Sequence, residues 1–88
     1  MRGEGLPKII VEIMPKQDLL DPQGKAVANA LKRAGNDIET TRIGKRIELH
    51  YKNQPTEKDL EKAKELARDF LSNSVIEDVV DVFIEEQN

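Results

Sequence analysis

Two stretches of the chain, Lys8–Met14 and Val75–Glu85, carry large apolar residues at both parities of an extended strand. In the first, Ile9, Val11 and Ile13 share one face, while Ile10 and Met14 share the other with Lys8 and Glu12. In the second, Ile76, Val80, Val82 and Ile84 have one parity, and Val79 and Phe83 the other. Strands patterned in this way need cover on both faces, which an isolated two-layer domain does not provide.

Between them the punctuation is that of helices and turns. Asp21-Pro22 opens a helix that runs to Ala34: the Asp carboxylate suits an N-cap, and the proline falls where a missing N–H costs nothing. Val27, Ala30, Leu31 and Ala34 form a narrow apolar stripe, and Gly35-Asn36 is a stop with glycine at the left-handed C′ position. Gly24, in the first turn, costs roughly 1 kcal/mol relative to alanine and points to close approach of another backbone. Ile38–Arg42 and Arg46–Lys52 read as two strands of a hairpin about Gly44. A three-residue turn, Gly44 to Arg46, buries Ile43 with Thr41, Ile47 and Leu49 and frees Arg42, whereas a two-residue turn would not. Thr56 with Asp59 forms a capping box for a second helix that reaches Leu71, with Leu60, Ala63, Ala67, Phe70 and Leu71 as its apolar stripe.

The order β-α-β-β-α-β in 88 residues predicts one α+β domain of ferredoxin-like class over 7–88. It has a four-stranded antiparallel sheet with both helices on one face, and residues 1–6 are a loose extension. Right-handed crossovers put the first and third strands in the centre and the last strand beside the first. Ile10, Met14, Val79 and Phe83 then lie together on the helix-free face, and this cluster predicts self-association as a homodimer, with a further pairing of dimers left open.

Little in the chain is equipped for chemistry. There is no cysteine, which excludes thiolate catalysis and Cys-ligated metal, and the single histidine, His50, reads as a surface strand residue. No acidic cluster has metal-ligand spacing, and neither Ser72 nor Ser74 is marked as a nucleophile, so no catalytic and no metal residue is assigned. A net charge of -3, with few aromatics, argues against nucleic acid. No apolar run approaches the roughly 18 residues of a membrane span, so no membrane is expected. These features fit a cytoplasmic protein. Small phosphatases of ferredoxin-like fold need an arginine-bearing anion loop after the first strand, and Pro15–Leu20 has none. Arg42, Lys45 and Arg46 do form a basic knot around Gly44, suited to an anion or to an acidic surface on a partner.

Three segments, in this order and spacing, carry a resemblance: Leu20-Asp21-Pro22-Gln23-Gly24, Arg42-Ile43-Gly44-Lys45 and Ser74-Val75-Ile76-Glu77-Asp78. Over nearly the whole chain, from Ile9 to Glu85, the sequence resembles the PurS family, with Thr41 standing where an aliphatic residue is expected. PurS is the small subunit of phosphoribosylformylglycinamidine synthase (formylglycinamide ribonucleotide amidotransferase). The resemblance implies a non-catalytic subunit of an ATP-dependent glutamine amidotransferase in purine biosynthesis. It would bridge a PurL-type synthetase and a PurQ-type glutaminase, with ATP, Mg and glutamine bound by those other subunits. On this reading Asp21, Gln23 and Gly24 at the helix start, and Arg42, Gly44 and Lys45 at the hairpin, are candidates for facing partner subunits. The competing class is a small-molecule regulatory module of ACT type, which shares the element order and a glycine near the first strand-to-helix turn.

Overall fold

The structure is a computed structural model, and it describes residues 7–85; the expected N-terminal extension lies outside them. The elements are β1 (Lys8–Pro15), α1 (Pro22–Arg33), β2 (Lys45–His50), α2 (Glu57–Leu66) and β3 (Glu77–Glu85), with a π-helical turn (Ala67–Leu71) continuing α2. The sheet is three-stranded and antiparallel in the order β2-β1-β3. The first of the doubly apolar stretches is therefore the central strand, as its patterning requires.

The expected fourth strand, Ile38–Arg42, is absent: residues 36–44 run irregularly and join no ladder. Its only large apolar residue before Ile43 is Ile38, which is exposed, so edge pairing would bury little. Its polar groups are instead spent on the start of α1 and the exit of β1. The remaining strands keep the expected neighbours. Ile43 is half-buried and Arg42 exposed, as the three-residue turn would have them, although no hairpin forms.

The helix ends follow the sequence closely. Asp21 caps α1 by accepting from the Gly24 amide, and Pro22 is the first helical residue. At the other end the Gly35 and Asn36 amides donate to Lys32 and Leu31 carbonyls, a complete Schellman motif with Gly35 at φ 92°. Thr56 and Asp59 form the reciprocal capping box, at 3.2 Å and 2.8 Å.

α2 covers one face of the sheet, where Val11, Ile13 and Ala67 form a buried cluster with Ile47, Leu49, Leu71, Val79 and Val82 against it. The π-helical turn shifts the helical phase after Leu66, so Phe70 leaves the predicted stripe and stands 79% exposed. By contrast, α1 has no extended packing against any strand or against α2. Only Gly24 and Ala28 of α1 are buried, and Val27 and Ala30 of its stripe face outward.

The helix-free face also departs from expectation. A bulge at Val80 makes Ile13 pair with Val79 where Glu12 pairs with Asp81. That one-residue slip turns Val79 to the helix side, into the core cluster, and leaves Val80 exposed. Ile10 is fully buried rather than open. It pairs with Glu48 and Phe83, amid cross-strand ion pairs that join Lys8 and Arg46 to Glu48 and Glu85. Of the four residues assigned to an open apolar cluster, only Met14 and Phe83 remain partly exposed there.

Candidate functional site

The three motif segments, far apart in sequence, meet at one end of the sheet. Asp21 is the centre of this corner. Its Oδ1 accepts from the Gly24 amide and its Oδ2 from the Ile43 amide, both at 2.9 Å. These two bonds, the Gly24 one foremost, with the Arg42 guanidinium nearby, hold the Asp21 carboxyl below the usual carboxylate range. The Thr41 hydroxyl donates to the Gly24 carbonyl, and Arg42 donates to the Pro15 carbonyl. Thr41, the residue out of keeping with the family pattern, thus has a specific polar partner.

Both corner glycines are required by close approach within the chain. A Cβ at Gly24 would collide with the Thr41 carbonyl oxygen and the Asp21 carboxylate; one at Gly44 would collide with the Ile13 carbonyl oxygen and the Met14 sulfur. The backbone expected beside Gly24 is therefore the chain's own. This also removes the feature that suggested a regulatory ligand there, since Gly24 is buried against Thr41 and presents no open cradle.

The third motif joins through charge. Lys45 Nζ lies 3.2 Å from Glu77 and Lys16 Nζ 2.6 Å from Asp78, and the Lys16 amide donates to the Ile76 carbonyl. The Asn73 amide and then Lys45 depress the Glu77 carboxyl. In the sequence Glu77 and Asp78 stand out only as the end of the third motif. The signal available was their position at the start of β3, which an antiparallel partner brings next to the end of β1. Gln23, Ile43, Gly44, Lys45 and Glu77 line a shallow cleft of about 270 Å³ at this corner. Gln23 is exposed on the first turn of α1.

His50 Nε2 is 2.9 Å from Glu48 on the exposed helix-free face, and the Ser72 hydroxyl donates to the Ala67 carbonyl. Among the described residues no group of three His, Asp or Glu could hold a metal ion, and no helix is long and apolar enough to cross a membrane.

Fold and corner together define a class: a small α+β chain with a split βαβ sheet, whose three motif segments converge at one corner. Comparison with known proteins makes the class specific. Residues 8–85 match the family model for PurS, described as phosphoribosylformylglycinamidine (FGAM) synthase. The chain is 38% identical over 74 residues to the phosphoribosylformylglycinamidine synthase subunit PurS of Mycobacterium leprae, covering 83% of this chain and 90% of that protein. It is 39% identical over 72 residues to the Bacillus subtilis subunit of the same name, covering 81% and 84%. The crystal structure of Methanocaldococcus jannaschii PurS matches with a TM-score of 0.76 at 27% identity, over 94% of this chain and all of that one. That of Thermus thermophilus PurS matches at 0.74 and 30%, over 93% and 98%. The chain belongs to the PurS family of phosphoribosylformylglycinamidine synthase.

Proposed function

We propose that this chain is the non-catalytic small subunit of phosphoribosylformylglycinamidine synthase in purine biosynthesis. It links a PurL-type synthetase subunit to a PurQ-type glutaminase subunit and helps seal the path of ammonia between them. The observation that carries this is the family match across residues 8–85, which spans nearly all of the described chain. The geometry agrees with it. Gln23, Arg42, Gly44 and Lys45 are exposed at a corner held rigid by the chain's own hydrogen bonds, and preorganised surfaces lose little entropy on docking.

ATP, Mg and glutamine belong to the larger subunits in this reading, and the chemistry with them. This chain supplies position. Ammonia that escapes to water at neutral pH is diluted and mostly protonated, so a closed interface sustains transfer without any reactive side chain. Self-association as a homodimer is part of the proposal, with Met14, Val80 and Phe83 on the helix-free face as the apolar contribution. Copies would meet there inside a rim formed by the Lys8, Arg46, Glu48 and Glu85 charges. The complex is placed in the cytoplasm.

Co-purification tests the reading. The tagged chain, mixed with separately purified PurL-type and PurQ-type proteins in the presence of ATP, Mg and glutamine, is expected to retain both. Failure to retain either would overturn it.

A further inference from the structure

The direction of α1 is not explained by packing, since the helix has no broad contact with the sheet or with α2. Nor does the connection to β2 fix it through a ladder, because residues 36–44 pair with no strand. Two hydrogen bonds tie the start of α1 to the segment 41–44: the Ile43 amide on Asp21 and the Thr41 hydroxyl on the Gly24 carbonyl.

The two carboxylate oxygens of Asp21 serve different elements. Oδ1 satisfies the Gly24 amide, which is an ordinary N-cap that Asn or Ser would also provide. Oδ2 takes the Ile43 amide, 22 residues along the chain, and the helix itself has no need of that bond. The neighbouring contacts, Thr41 on Gly24 and Arg42 on Pro15, fall on the same segment and depend on its staying in place.

We infer that Asp21 is a positioning residue that sets the pose of α1 relative to the sheet, by pinning residues 41–44 to the helix start through its second carboxylate oxygen. The pin is a protonation-sensitive one: a neutral carboxyl turns one acceptor oxygen into a donor, which then faces an amide that also donates. The charged groups around it are Arg42 on the pinned segment, Lys25 and Lys32 on α1, and Glu39 across the same cleft. The Gly24 and Ile43 amides and the Arg42 guanidinium favour the ionised form, so the carboxylate is held charged at neutral pH and the pin releases only in acid. This inference concerns the chain's own geometry and does not rest on the docking reading.

Asp21→Asn separates the two bonds. Asparagine remains a good N-cap, but its amide nitrogen cannot accept from Ile43. In hydrogen exchange at pH 7 the α1 amides are expected to keep their protection. The Ile43 amide should exchange at least about tenfold faster, the loss expected of one hydrogen bond to a charged group. In the wild-type chain the Ile43 amide resonance should titrate with the carboxyl, with a midpoint below that of an ordinary aspartate, and this test needs no variant. The absence of native cysteine permits a spin-label pair at Arg33→Cys and Lys52→Cys, diluted with unlabelled chain. Their distance distribution should be narrow in the wild type and broad in Asp21→Asn. An Ile43 amide that neither titrates nor loses protection, or an unchanged distance distribution, would overturn the inference.

Discussion

Replacing Gly24 by alanine raises intrinsic helix propensity by roughly 1 kcal/mol, yet the new Cβ would run into the Thr41 carbonyl oxygen and the Asp21 carboxylate. The overpacking should win. A net loss of about 1–3 kcal/mol is expected, read as a lower urea midpoint with an unchanged slope. Gly35 fails alanine for another reason: nothing crowds its Cβ, but its φ of 92° is unfavourable for a side chain. Gly35→Ala should therefore cost roughly 1 kcal/mol and Gly35→Asn less, because asparagine tolerates the left-handed region. If both Gly24→Ala and Gly35→Ala stabilised the chain, the corner geometry and the Schellman stop would both be wrong.

At the scale of elements, the clearest contrast lies within α2. Its capping box satisfies two first-turn donors, so Thr56→Ala should cost about 1 kcal/mol. Phe70, carried outward by the π-helical turn, should be replaceable by serine within about 0.5 kcal/mol, whereas a Phe in a buried stripe would cost several times more. Chemical denaturation of the two variants decides between them. These elements also show what the sequence makes legible. Caps are local, and Asp21, Gly35, Thr56 and Asp59 announced theirs because each of their cap bonds spans only three residues. The bulge at Val80 is not local: the residues around it are apolar at both parities, and only the pairing with Glu12 and Ile13 reveals the slip. Ile38–Arg42 has a strand-like composition, but its fate was decided by Asp21 and Gly24, at least 14 residues away. The same distance hid the corner. The motifs were recognisable one by one, while their convergence through Lys45–Glu77 and Lys16–Asp78 depends on the antiparallel return of β3.

At the scale of the whole molecule, four carboxyls among the described residues are held below their ordinary range: Asp21 by backbone amides, Glu77 by the Asn73 amide and Lys45, Glu85 by Arg46, and Glu48 by His50 with Lys8 and Arg46. A group with a depressed folded pKa adds stability above its unfolded value and loses it as pH falls through the folded one. Thermal stability should hold from neutral pH down to the ordinary carboxylate range and then fall steeply in acid. The exposed pairs of the helix-free face should lose their share earlier in high salt. We propose that this rigid corner couples two enzymes and leaves the chemistry to them. The most direct measurement of this coupling is phosphoribosylformylglycinamidine synthesis by the reconstituted PurL-type and PurQ-type subunits, with glutamine or with ammonium as nitrogen source. Adding the wild-type chain should raise glutamine-dependent synthesis far more than ammonium-dependent synthesis. Lys45→Glu, which opposes Glu77 and makes the corner net negative, should lower the glutamine rate at least about tenfold, equivalent to about 1.4 kcal/mol of interface free energy, while largely sparing the ammonium rate. Equal glutamine-dependent rates with the wild-type chain, with Lys45→Glu and with no added chain would contradict the account.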